Sequence, residues 1–88
     1  MRTLLKFEAD WCGPCQQLKP IVNDVLGAHT DSVTLRTIDV DDPENMPLVQ
    51  AHGVRAIPTL VLIEGDEILR THRGVLGRAE LEDFVTAA

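Results

Sequence analysis

Two stretches whose apolar residues alternate, Thr3–Glu8 and Val33–Val40, flank one whose apolar residues recur at spacings of three and four: Leu18, Ile21, Val22, Val25 and Leu26. Alternation is the period of a half-buried strand, and the three-four spacing is the period of a helix with one apolar stripe. Two strands joined by a helix lie parallel, with a right-handed crossover. A chain of 88 residues has room for one such core and not for two, so a single domain over residues 1–88 is expected.

The remaining pattern extends this unit. In the first strand Leu5 and Phe7 share one face, and Leu4 and Lys6 the other. Pro14 fits the first turn of the helix, Pro20 should kink its interior, and Gly27 is a natural stop. Asp41-Asp42-Pro43 opens a turn. A short helix is expected from about Asn45 to His52, with Pro47 in its first turn and Gly53 as its cap. Thr59–Ile63 is a continuous apolar run, as in a strand buried on both faces. Glu64-Gly65-Asp66 reads as a hairpin turn leading to an antiparallel strand, Glu67–Arg73, which Gly74 ends. A last helix opens at Gly77-Arg78-Ala79-Glu80 and buries Leu81, Phe84 and Val85. The order β-α-β-α-β-β-α predicts an α/β fold: a four-stranded mixed sheet with helices on both faces.

Eight Lys and Arg against fourteen Asp and Glu give a net charge of −6. Such a chain repels phosphate backbones and has no polybasic segment for an anionic membrane, so neither nucleic acid nor membrane is an expected partner. The apolar runs are too short to span a bilayer, and Met1–Lys6 does not lead into a secretory signal. A cytoplasmic location is expected.

The two cysteines, Cys12 and Cys15, form one Cys-x-x-Cys. Closing so short a loop restricts the unfolded chain by only about 2 kcal/mol, a poor staple. A structural zinc site needs about four ligands. His29, His52 and His72 are isolated, and Asp39, Asp41, Asp42 and Glu44 read as a solvated acidic loop, with metal binding a weak alternative. A reactive thiol couple is the better reading, buried inert thiols the bland one. No metal or other cofactor is expected.

Trp11-Cys12-Gly13-Pro14-Cys15, at a strand end and opening a helix, resembles the thioredoxin family. Three further pieces fit in order: Pro20, similar to the family's helix-kinking proline; Ala56-Ile57-Pro58-Thr59, similar to its cis-proline loop; and Arg73-Gly74-Val75, similar to its glycine loop after the last strand. The resemblance covers nearly the whole chain. It is to a short, minimal form without the opening strand and helix of longer members. Glu8 stands where many members carry a second tryptophan, and Lys6 where many carry a buried acid. The segment Asp41 to Gly53 is slightly longer than usual.

The resemblance implies a protein-disulfide reductase, a thioredoxin-type redox carrier. Cys12, at the helix N-terminus, is expected to ionise readily and attack a client disulfide, and the less exposed Cys15 to resolve the mixed disulfide. Gly13 and Pro14 keep the loop tight. Trp11, Gly13, Pro14, Ile57, Pro58 and Gly74 are the expected substrate contacts, with Ile57–Pro58 cis. The residues alone leave Trp11 open as a core residue and Gly74 as a plain strand terminator. Lys6 has three readings: an exposed residue, a partner of Asp10 or Asp39, or a modulator of proton transfer at Cys15. The implied partners are disulfide-containing proteins and a recharging reductase of the thioredoxin-reductase kind, and a monomer is expected. A glutaredoxin-like protein recharged by glutathione, or a thioredoxin-fold subunit of a larger complex, are the alternatives.

Overall fold

The computed structural model describes residues 1–87; Ala88, the last residue of the expected domain, lies outside the described residues. Four strands are present: β1 (Arg2–Glu8), β2 (Val33–Asp39), β3 (Thr59–Glu64) and β4 (Glu67–Arg73). The helices are α1 (Gly13–Gly27), α2 (Met46–Ala51) and α3 (Arg78–Thr86), and a 3₁₀ turn at Pro43–Asn45 precedes α2. The sheet order is β2-β1-β3-β4. β1 and β2 are parallel, and the other neighbouring pairs are antiparallel. The expected mixed sheet is therefore formed, with the apolar run Thr59–Ile63 on an inner strand.

The period-two alternation of β1 divides the core into two layers. Leu4 packs with Leu18, Val22, Val25 and Leu26 of α1 and with Leu81, Phe84 and Val85 of α3. Leu5 and Phe7 face the other way, against Ile38, Val61 and the α2 residues Leu48 and Val49. Each fully buried Leu or Phe stabilises the fold by about 1.5–3 kcal/mol. Arg78 of α3 pairs with Asp24 of α1, and His29 Nε2 lies 2.6 Å from Glu82 Oε1.

The helix ends follow local chemistry. α2 closes in a Schellman pattern: Gly53 has φ 59°, its N–H donates to the Gln50 carbonyl, and the Val54 N–H donates to the Val49 carbonyl. α1 does end at Gly27, but that glycine does not adopt a positive φ; Ala28 and His29 continue in tight turns to the Val25 and Leu26 carbonyls. Pro20 sits on the exposed side of α1. At the start of α3 the Glu80 carboxylate accepts from the Gly77 N–H at 3.1 Å. β4 carries a bulge: Leu62 pairs with Arg70 but Ile63 with Ile68, leaving Leu69 as the extra residue.

Candidate active site

The loop after β1 places Cys12 as the N-cap of α1 and Cys15 in its first turn. The two form a disulfide, with Cα atoms 5.2 Å apart. The Cys15 N–H donates to Cys12 Sγ at 3.2 Å, and the Gln16 N–H donates to the Cys12 carbonyl at 3.2 Å. The second of these is the first intrahelical bond of α1, accepted by the N-cap carbonyl. The first satisfies one of the N–H groups that a helix start leaves without an intrahelical partner, and Pro14 supplies no N–H there. A negative charge on Cys12 Sγ is favoured by the donor from Cys15 and by the helix dipole. Both sulfur residues are nearly enclosed, Cys12 at 4% and Cys15 at 1% exposure, with Ala9 packed against them. Gly13 and Pro14 are exposed beside them.

A second segment reaches the same place. The Ile57–Pro58 peptide is cis, and the Ile57 carbonyl oxygen lies 3.9 Å from Cys12 Sγ. Pro58 is fully buried, while Ile57 is half-buried and packs against the cysteine cluster. A third segment is tied to the second: the Gly74 N–H donates to the Pro58 carbonyl at 2.8 Å. Gly74 has φ 93°, a conformation that only glycine adopts freely, so more than strand termination fixes this position. Trp11 lies on the surface, 70% exposed, and its indole N–H donates to Asp41 Oδ2 at 2.7 Å. The core position that the residues alone leave open is thereby excluded, and the surface position that the resemblance implies is the one observed.

Beside the sulfurs runs an apolar groove of about 230 Å³, lined by Trp11, Val40, Val49, Val54, Ala56 and Ile57, with Arg55 as its one charged residue. The sequence reading did not single out Val40, Val49 or Val54. Their signal is weak, since they are separate apolar residues in and beside the segment Asp41–Gly53. Asp41, which reads from the sequence as part of a solvated acidic loop, holds the Trp11 indole. Two of those acids do local work instead: Asp39 Oδ1 accepts from the Asp41 N–H, and Asp42 Oδ1 from the Glu44 N–H. Among the described residues, no group of three or more His, Cys, Asp or Glu is placed to hold a metal ion.

Lys6 requires a correction. It is not an exposed strand residue: it is 3% exposed. Its partner is neither Asp10 nor Asp39 but Glu8, with Lys6 Nζ 3.0 Å from Glu8 Oε1. Residues two apart on a strand share a face, which makes this pairing available.

A family model described as Thioredoxin matches residues 1–87. A thioredoxin from Haemophilus influenzae is 35% identical over 82 residues, which cover 93% of this chain and 75% of that protein. One from Rhodospirillum rubrum is also 35% identical, covering 93% of this chain and 77% of its own length. A solved mutant thioredoxin from Halobacterium salinarum NRC-1 is 43% identical and superposes with a TM-score of 0.83. The match covers 96% of this chain and 71% of that one.

Proposed function

With the chain a member of the thioredoxin family, and so a thiol–disulfide oxidoreductase, we propose that Cys12 is the attacking sulfur and Cys15 the resolving one. The observation that carries this order is the hydrogen bond from the Cys15 N–H to Cys12 Sγ, at the N-cap of α1. That donor and the helix start stabilise a thiolate on Cys12, whereas Cys15 lies deeper, inside the first turn.

In the forward cycle the Cys12 thiolate attacks one sulfur of a client disulfide. A Cys12–client bond forms and the other client sulfur leaves as a thiolate. Cys15, having lost its proton, attacks Cys12 Sγ. The Cys12–Cys15 bond forms, the client sulfur departs, and the two electrons have passed to the client. The tight Gly13-Pro14 loop makes the second attack intramolecular and correspondingly favourable. The client segment lies extended along Ile57, whose backbone offers strand-like pairing, with a neighbouring apolar side chain in the groove beside Trp11. Gly13, Pro14 and Gly74 complete this contact surface, and the buried, cis Pro58 shapes it by holding Ile57 toward the sulfurs.

The family implies disulfide-containing client proteins and a reductase that restores the dithiol. In this reading the protein is a cytoplasmic monomer recharged by a thioredoxin-reductase-like enzyme. No helix among the described residues is long and apolar enough to cross a membrane.

Substitution of each cysteine separates the two roles. Cys15→Ser should accumulate a covalent complex with a disulfide client, seen as a thiol-sensitive band on a non-reducing gel, and Cys12→Ser should accumulate none. Equal trapping by both variants, or trapping by Cys12→Ser alone, overturns the order. Supplying NADPH with a thioredoxin reductase, or glutathione, in separate assays tests the recharging partner.

A further inference from the structure

The apolar groove beside the sulfurs carries a cation that the fold does not use. Arg55 lines it between Val54 and Ala56, in the segment that leads to Ile57 and the cis peptide. The residue is exposed and makes no hydrogen bond or ion pair with any described residue, although the chain carries fourteen acidic residues. Arg2 and Arg78 differ: the first donates to the Val85 and Ala87 carbonyls, and the second pairs with Asp24. A guanidinium presents its donors in a fixed fork that matches a carboxylate. At Arg55 that fork stays available beside an apolar surface.

The size of the groove narrows what occupies it. Its volume is about 230 Å³. Sites for drug-sized ligands run to roughly 300–1,000 Å³, so this one suits a single side chain better than a free small molecule.

The backbone beside it gives a direction. Among the described residues, no backbone hydrogen bond uses the Ile57 N–H or the Ile57 carbonyl, whereas the Pro58 carbonyl is taken by the Gly74 N–H. Two free groups on one residue match the antiparallel pattern, in which a single opposite residue exchanges both bonds. The Ile57 carbonyl lies 3.9 Å from Cys12 Sγ, so the client residue opposite Ile57 is at or next to the client's cysteine. An antiparallel client runs against this chain, and its following residues pass back from Ile57 by Ala56 toward Arg55. Two strand residues advance about 6.6 Å, which brings a residue about two or three positions after the client's cysteine to the guanidinium.

We propose that Arg55 is a specificity-determining residue: it favours clients whose cysteine is followed, about two or three positions later, by Asp or Glu, with a neighbouring apolar side chain in the groove. The proposal rests on the reading in which the client lies along Ile57. It acts by contact and not at range. The net charge of −6 repels acidic clients as a whole, but Arg55 meets one carboxylate after docking. At about 0.3 M salt the Debye length is under about 8 Å, so the distant field is screened while a contact pair persists.

Position separates from charge in two isomeric peptides of one composition, each a disulfide-linked homodimer. Every chain has one cysteine, a leucine beside it, and one glutamate either three residues after the cysteine or three before it. The pre-reduced full-length protein reduces each at about 0.3 M salt, and the second-order rate constants are compared. The parent should reduce the glutamate-after isomer about fivefold faster than the glutamate-before isomer. Arg55→Gln should bring that ratio within about twofold of one, Arg55→Lys should retain part of it, and Arg55→Glu should invert it. A ratio taken within one protein cancels differences in folding and in sulfur reactivity.

A parent ratio near one, a preference for the glutamate-before isomer, or a preference that survives in Arg55→Gln overturns the proposal. A third peptide, with serine in place of the leucine, tests the reading beneath it and should be reduced severalfold more slowly. Dependence on leucine without a preference for glutamate position overturns the role of Arg55 and leaves the groove as the client's contact. Loss of both dependences overturns both.

Discussion

An indole that is 70% exposed contributes little to holding a domain together, yet Trp11 is fixed by a 2.7 Å hydrogen bond to Asp41. The proposed function makes this large rigid ring at the mouth of the apolar groove a contact for the client, since aromatic residues in such settings dominate recognition. Trp11→Ala should lower kcat/KM for a protein disulfide by about tenfold and change unfolding free energy by less than about 0.5 kcal/mol. Leu18, fully buried against Leu4 and Leu60, sets the opposite case. Leu18→Ala should cost about 2–5 kcal/mol in chemical denaturation. Parallel losses of activity and stability in Trp11→Ala would contradict its assignment to the surface. The neighbouring residues also show where a sequence stops being informative. Lys6 reads as exposed because lysine usually is. Only the sheet, by setting Glu8 on the same face under α1, makes its burial affordable.

At the scale of elements, the backbone phase of β2 follows from two hydrogen bonds. Arg2 N–H donates to Ser32 O and Val40 N–H donates to Glu8 O, in register with Arg2 opposite Val33 and Glu8 opposite Asp39. Thr34, Arg36 and Ile38 therefore turn their peptide groups toward β1, and Leu35 and Thr37 turn theirs away from the sheet. Amide hydrogen exchange followed by NMR should alternate along β2, with Leu35 and Thr37 exchanging fast and Thr34, Arg36 and Ile38 protected. Uniform protection would mean that this edge is covered in solution. The strands and the hairpin are legible in the sequence because alternation and the two-residue turn are local signals. Gly65, at φ 60°, supplies the turn that its position promises. The bulge at Leu69 is not legible, since a single extra residue leaves the alternation of Glu67–Arg73 too short to reveal a slip. The end of α1 shows the same limit: Gly27 marks the right place, but it does so without the left-handed conformation that would explain its choice.

Over the whole molecule the charge of −6 is unevenly used. Asp10 and Asp41 are exposed at and beside Trp11, whereas Arg55 is the only charged residue lining the groove. Field and net charge together favour approach by basic segments. For a client peptide with lysines flanking its disulfide, kcat/KM should fall roughly threefold to tenfold as ionic strength rises from about 0.02 M to about 0.3 M. For one flanked by glutamates it should rise. Identical salt profiles for the two peptides would show that the rim does not steer encounter. The cysteine pair, the Pro58 loop and Gly74 are each legible from a short string of residues, because each depends on a special backbone or a reactive atom. The groove between them is not. Its walls come from Val40, Val49 and Val54, ordinary apolar residues that acquire a shared purpose only when α2 packs against the far side of the sheet.

That division of labour makes the site modular. The sulfurs are held by the start of α1, while most of the groove comes from the segment between β2 and β3, which packs on the opposite face. On the proposed function, a change of length or side chain in the latter redraws which clients fit while leaving the sulfurs where α1 holds them. Client choice and sulfur chemistry are thus carried by separate segments of one fold.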